Sequence, residues 1–164
     1  MGIFSKKKTN NESTAICEEG LSYLGKDDAK AFEILMKAAE MKNEVAEFHI
    51  ARMYETGKGV SKDRGVAIGW YADSVDDGCS VAAVYLLNIY VNGFDPEYDE
   101  DESMGLIDVI VSAGDRPFKA AGDLAYETAK MIIEGTGSFK DEEAGLRLME
   151  AGALAGVKKC LEYR

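Results

Sequence analysis

Proline is nearly missing from this chain: 2 residues in 164, so little in it would interrupt a helix. Histidine and tryptophan occur once each, as His49 and Trp70. With a lone imidazole, neither a Cys–His pair nor a Ser–His–Asp set stands out, and His49 reads as a helix-face residue. The three cysteines, Cys17, Cys79 and Cys160, are an odd number at wide spacing with no Cys-x-x-Cys. That pattern is neither a disulfide framework nor a zinc site, and it suits a reducing compartment. No apolar run approaches membrane-span length, and "MGIFSKKKTNN" has no apolar leader segment, so the chain reads as cytoplasmic with no membrane partner. Gly2 invites a myristoylation reading, but Lys6 stands where Ser or Thr is expected. Basic residues are also scarce, 19 against 30 acidic, for a net charge of -11. Such a field repels phosphate backbones, and no basic stripe interleaves with aromatics, which excludes nucleic acid as a partner.

What is present favours helices. Ala, Leu, Met, Glu and Lys are abundant, 46% of residues are hydrophobic and 30% charged, which describes a folded globular chain. Residues 1–11 read as a flexible tail and 12–164 as one domain. The 17 glycines would weaken helices unless they punctuate them, and their placement is regular. Asp27, Asp63 and Asp99 lie 36 residues apart, as do Tyr54 and Tyr90, Gly57 and Gly93, and Gly78 and Gly114. Asp141 follows Asp99 by 42, so a fourth copy carries six extra residues, placed near "RPFKAA" (Arg116 to Ala121). A fixed period of this length marks a solenoid. Each copy divides into two helical halves. "EVAEFHIARMYETG" and "DRGVAIGWYADSVDDG" both place apolar residues at helical spacing, and Asp63 is positioned as an N-cap. Gly57 and Gly59 end the first half and reverse the chain. The same pair in "GKGVSKD" could be mistaken for a phosphate loop. That loop requires a preceding buried strand and a Lys-Ser/Thr in register, and both are missing.

"AEFHIARMYETGKGVSKDRGVAIGWYADSVDDG" (Ala46 to Gly78) resembles the Sel-one-like repeat, a helix-turn-helix relative of the tetratricopeptide repeat. Ala46, Tyr54, Gly57, Gly59, Val60, Asp63, Ala67, Trp70, Tyr71 and Gly78 carry the resemblance. The third copy keeps Ala82, Tyr90, Gly93, Asp99 and Gly114 but has Leu106 and Ile107 in place of the aromatic pair. The fourth keeps Gly135, Gly137, Asp141 and Gly156, while the first has a shorter turn. The resemblance implies an all-α, right-handed α-solenoid of about four helix-turn-helix repeats closed by a C-terminal capping helix. Trp70 is expected to be buried between helices of adjacent repeats.

In such folds the first helices of successive repeats line a concave groove. Residues four and then three apart share a helix face. That rule and the register select Phe48, Arg52 and Glu55, then Val84, Asn88 and Val91, then Tyr126, Lys130 and Ile133. The expected function is therefore a non-catalytic adaptor or scaffold for a protein or peptide, with no cofactor. The competing reading is an acidic inhibitor or immunity-type protein that neutralises a basic partner. The acidic run "FDPEYDEDE" (Phe94 to Glu102) has Glu100 and Leu106 where a calcium loop needs Gly and Glu, so no metal site is expected there.

Overall fold

The computed structural model describes residues 3–93 and 100–163, and these are helical with no strand. The acidic positions Asp95, Glu97 and Asp99 lie outside the described residues. The chain divides into two compact units, Met1–Cys79 and Ser80–Arg164. The first holds α1 (Ile3–Tyr23), α2 (Asp28–Glu40), α3 (Glu44–Thr56) and α4 (Arg64–Asp76). The second holds α5 (Ser80–Val91), α6 (Glu100–Ser112), α7 (Arg116–Glu134), α8 (Glu142–Leu154) and α9 (Lys158–Glu162). α1 begins at Ile3 and runs on through position 12.

Four helices, α2, α3, α4 and α8, start where a short polar side chain replaces the missing turn. Asp27, Asp63 and Asp141 each accept a backbone N–H three residues on, from Lys30, Val66 and Ala144 at 3.0, 3.0 and 2.9 Å. Asn43 caps α3 in the same way through the Ala46 N–H at 3.0 Å. Each cap is worth about 1 kcal/mol. Two of the helices that open a repeat end on left-handed glycines, which carry no Cβ to strain. Gly57 (φ 77°) closes α3 and Gly135 (φ 66°) closes α7.

The turns repeat down to individual hydrogen bonds. The Gly57 N–H donates to the Met53 carbonyl at 2.8 Å and the Asp63 N–H to that of Tyr54 at 2.9 Å. In the second unit Gly135 donates to Met131 at 2.8 Å and Asp141 to Ile132 at 3.2 Å. Each of these groups lies 78 positions beyond its counterpart, which is the 36-residue step followed by the 42-residue step. The second glycine of each pair is required by close backbone approach. A Cβ on Gly59 would collide with the Asp28 carbonyl, and one on Gly137 with that of Val91. Ser138 ties the latter contact down, its N–H donating to the Val91 carbonyl at 2.8 Å and its hydroxyl to that of Tyr90 at 2.6 Å. The glycine pair therefore serves packing of one turn on another.

In the first unit, Cys17, Leu35, Ala38, Ala46, Ile50 and Met53 form the core where α1, α2 and α3 meet. Tyr71 of α4 is fully buried, whereas Trp70 is only partly buried against that cluster. The expectation of a buried Trp70 is corrected. The matching pairs Ile34–Leu35, Leu106–Ile107 and Leu148–Met149 are buried at both places, but the bulkier indole keeps part of its surface exposed while Tyr71 fills the inner place. In the second unit α5 packs on α6 and α7, and α7 on α8, burying Leu87, Ile107, Ile110, Ile132 and Leu148. The six extra residues extend α7 to 19 residues, and the helix breaks at Ala121 (φ -139°, ψ 33°).

Candidate protein-binding faces

On α3, Phe48, Arg52 and Glu55 fall on one side, and the structure joins them into a cluster. Glu55 accepts from the Arg52 guanidinium at 2.5 Å and from the Tyr71 hydroxyl at 2.6 Å through the same oxygen. Phe48 is half-buried, with its ring 6.0 Å from that of Tyr71 and 5.2 Å from that of His49. Burial, and secondarily the hydrogen bond from Tyr71 to Glu55, pushes the phenol well above the usual tyrosine range, so it remains a donor. Burial, then the nearby Arg52 charge, holds His49 below the usual imidazole range, which favours its neutral form. Beside this cluster Leu24, Asp28, His49, Arg52, Met53 and Lys58 line a pocket of about 170 Å³.

The second unit presents fewer of the expected residues. Val84 and Val91 are both fully buried and cannot reach a partner. Their helix explains the correction. α5 reads SVAAVYLLNIYV, apolar on every side, and nine of its 12 residues are buried, so no exposed stripe can be transferred onto it from α3. Asn88 is half-buried and donates to the Thr128 hydroxyl at 2.9 Å, which makes it a tie between α5 and α7. Ile133 is half-buried and packs against α8, where a Cβ on Gly145 would press on its side chain. Lys130 is partly exposed and pairs with Glu134 at 3.9 Å. Tyr126 is partly exposed beside the C-terminal segment. Its ring meets that of Tyr163 edge-on at 6.3 Å, and the Lys159 ammonium lies 5.6 Å from its centroid.

The structure thus brings Phe48, Arg52 and Glu55 together on α3 and leaves Tyr126 and Lys130 partly exposed on α7, with Tyr71, Lys159 and Tyr163, which the sequence did not single out as site residues, beside them. Adjacency to Trp70 was a usable signal for Tyr71. For Lys159 and Tyr163 no motif existed to carry one. Among the described residues no group of three His, Cys, Asp or Glu side chains is arranged to hold a metal ion, and no helix is long and apolar enough to cross a membrane.

A family model described as the Sel1 repeat matches residues 15–43, 45–78 and 122–157. The unmatched interval is the third copy, which lacks the aromatic pair. No curated protein matches the chain. Among solved structures, a Sel1 repeat protein from Oxalobacter formigenes is 23% identical with a TM-score of 0.69, covering 88% of this chain and 58% of its own. A protective antigen of uropathogenic Escherichia coli strains, displaying an SLR fold, is 21% identical with a TM-score of 0.69, covering 88% and 31%. A sel1 repeat protein from Klebsiella pneumoniae subsp. pneumoniae is 19% identical with a TM-score of 0.54, covering 92% and 74%. The chain thus spans less than two thirds of the first two proteins it resembles.

Proposed function

Because the chain belongs to the Sel1 repeat family, whose members generally serve as protein-interaction scaffolds, we propose that it is a non-catalytic adaptor that holds a protein or peptide on the exposed sides of its first helices. The observation that carries this reading is the α3 cluster. Glu55 fixes both Arg52 and Tyr71, and the half-buried Phe48 stands beside them. Arginine and aromatic side chains dominate binding hot spots, and holding them in place before binding lowers the ordering cost. In the second unit the partly exposed Tyr126, held edge-on against Tyr163, has the same character.

The test begins with a partner captured from native lysate and purified. Phe48→Ala, Arg52→Ala and Tyr126→Ala are each expected to weaken binding by about tenfold or more, with melting temperature little changed for Arg52→Ala and Tyr126→Ala. Asn88→Ala, by contrast, is expected to lower stability, since it cuts the tie to Thr128. Reversing Asp101 and Glu102, in the exposed first turn of α6, is the control. If those reversals abolish binding at low salt while the α3 and α7 variants bind normally, the partner docks by charge. The acidic-inhibitor function would then replace the adaptor.

A further inference from the structure

Glu47, in the first turn of α3, is the one acidic side chain among the described residues that is fully buried. Neither of its carboxylate oxygens has a hydrogen-bond partner. The charged groups around it come from two other segments. Lys42, in the turn between α2 and α3, places its ammonium 3.8 Å from Glu47 and 3.6 Å from Asp77. Asp77 caps the C-terminal end of α4, and Asp73 in the last turn of that helix adds a further negative charge. Lys42 is also the one non-glycine among the described residues with positive φ (61°).

The repeat register shows that the fold does not require this set. The positions matching Lys42 are Gly78, Gly114 and Gly156, each at the positive φ that glycine tolerates. Those matching Glu47 are Ala83 and Ala125, and those matching Asp77 are Met41, Ala113 and Ala155. The first copy thus ends on a lysine where the later ones end on glycine, and the second carries Glu47 where the third and fourth have alanine, and Asp77 where the other copies have methionine or alanine. A left-handed lysine and a buried carboxyl without a hydrogen bond both cost stability, so packing alone does not account for them.

We infer that Lys42, Glu47 and Asp77 form a proton-gated latch in the first unit. While Glu47 is a neutral acid, the α2–α3 turn and the end of α4 stay closed on α3; its ionisation loosens both. Burial first, and then the charge of Asp77, raise Glu47 to about 7, while Lys42 pulls the other way. Because the folded value lies above the ordinary 4.5, the stabilisation is present in mild acid and is lost as pH rises through about 7. His49, on the same helix, is shifted downward and so contributes in the opposite sense. A comparison of variants that all keep His49 cancels it. The latch concerns the folding of the first unit and stands whether or not α3 binds a partner.

The full chain is unfolded in denaturant between pH 5.5 and 8.5, followed by emission of Trp70, the single tryptophan, which lies in the first unit. Across that range the folding equilibrium constant of the wild type is expected to fall about thirtyfold relative to Glu47→Gln, the neutral isostere. Asp77→Asn should move the transition to lower pH by removing the repelling charge. Protection of the Lys42 and Asn43 amides, bonded to the Ala39 and Ala38 carbonyls, should drop over the same interval. Identical pH slopes in wild type and Glu47→Gln would overturn the latch. Should Glu47→Gln fail to fold, the carboxyl carbon resonance of Glu47 in the wild type decides. A midpoint near 7 supports the inference, and one near 4.5 overturns it.

Discussion

Tyr71→Ala is expected to destabilise the first unit by about 3–5 kcal/mol, the range for emptying a buried aromatic site. The ring has no solvent exposure, and its hydroxyl donates to Glu55 at 2.6 Å. Truncation thus opens a cavity and also leaves Glu55 held by Arg52 alone. Tyr71→Phe separates the two effects. It keeps the ring and should cost only about 1 kcal/mol, the net worth of one hydrogen bond. Trp70→Ala should cost clearly less than Tyr71→Ala, since Trp70 is partly exposed already. Denaturant melts of the three variants followed by circular dichroism supply the order. A larger loss for Trp70→Ala than for Tyr71→Ala would show that the wrong aromatic has been placed in the core.

Gly59→Ala should be the most damaging glycine replacement in the first unit, costing about 2–5 kcal/mol. Two effects add there. The residue sits at φ 73°, where a Cβ costs about 1–2 kcal/mol. The new methyl would also collide with the Asp28 carbonyl and lie 2.9 Å from the Met53 methyl, an overpacking cost of about 1–3 kcal/mol. Gly57→Ala, at φ 77° with the Lys62 Cβ 3.2 Å away, should show mainly the first effect. Gly25→Ala, at φ 76° with open space around it, should show that effect alone. Thermal melts of all three decide the matter. Equal losses at Gly59 and Gly25 would mean that the backbone of Asp28 does not approach the turn.

Most of the fold could be read from local chemistry. Asp27, Asp63 and Asp141 announce helix starts because a short carboxylate can reach an amide three residues on, and the paired glycines announce the turns. The binding faces were less legible. On α3 the exposed and buried positions alternate at helical spacing, so Phe48, Arg52 and Glu55 could be picked out. On α5 every side is apolar, and counting positions from α3 therefore selected Val84 and Val91, which are core. Glu47 was not legible at all. An acid in the first turn of a helix is the expected exposed partner of the helix N-terminus. Only three dimensions reveal that the end of α4 closes over it.

The lengthened α7 bears on how this protein's lineage can be traced. The six added residues bring Phe118 into the core, where its ring meets the position of Gly152 on α8; a Cβ there would lie 3.4 Å from two ring carbons and 2.7 Å from the Cys160 sulfur. In the copies without the insertion the matching positions are Ala38, Ser74 and Ile110, all with a Cβ. At 3.4 Å the ring is only in ordinary van der Waals contact, so it is the Cys160 sulfur that leaves no room for a methyl. The added segment can therefore be gained or lost without touching Gly152, and the glycine follows the residue at the position of Cys160 on α9. A homologue with the shorter step and a cysteine there should keep glycine, so insertion and glycine are two separate marks of ancestry that overall identity near 20% would obscure.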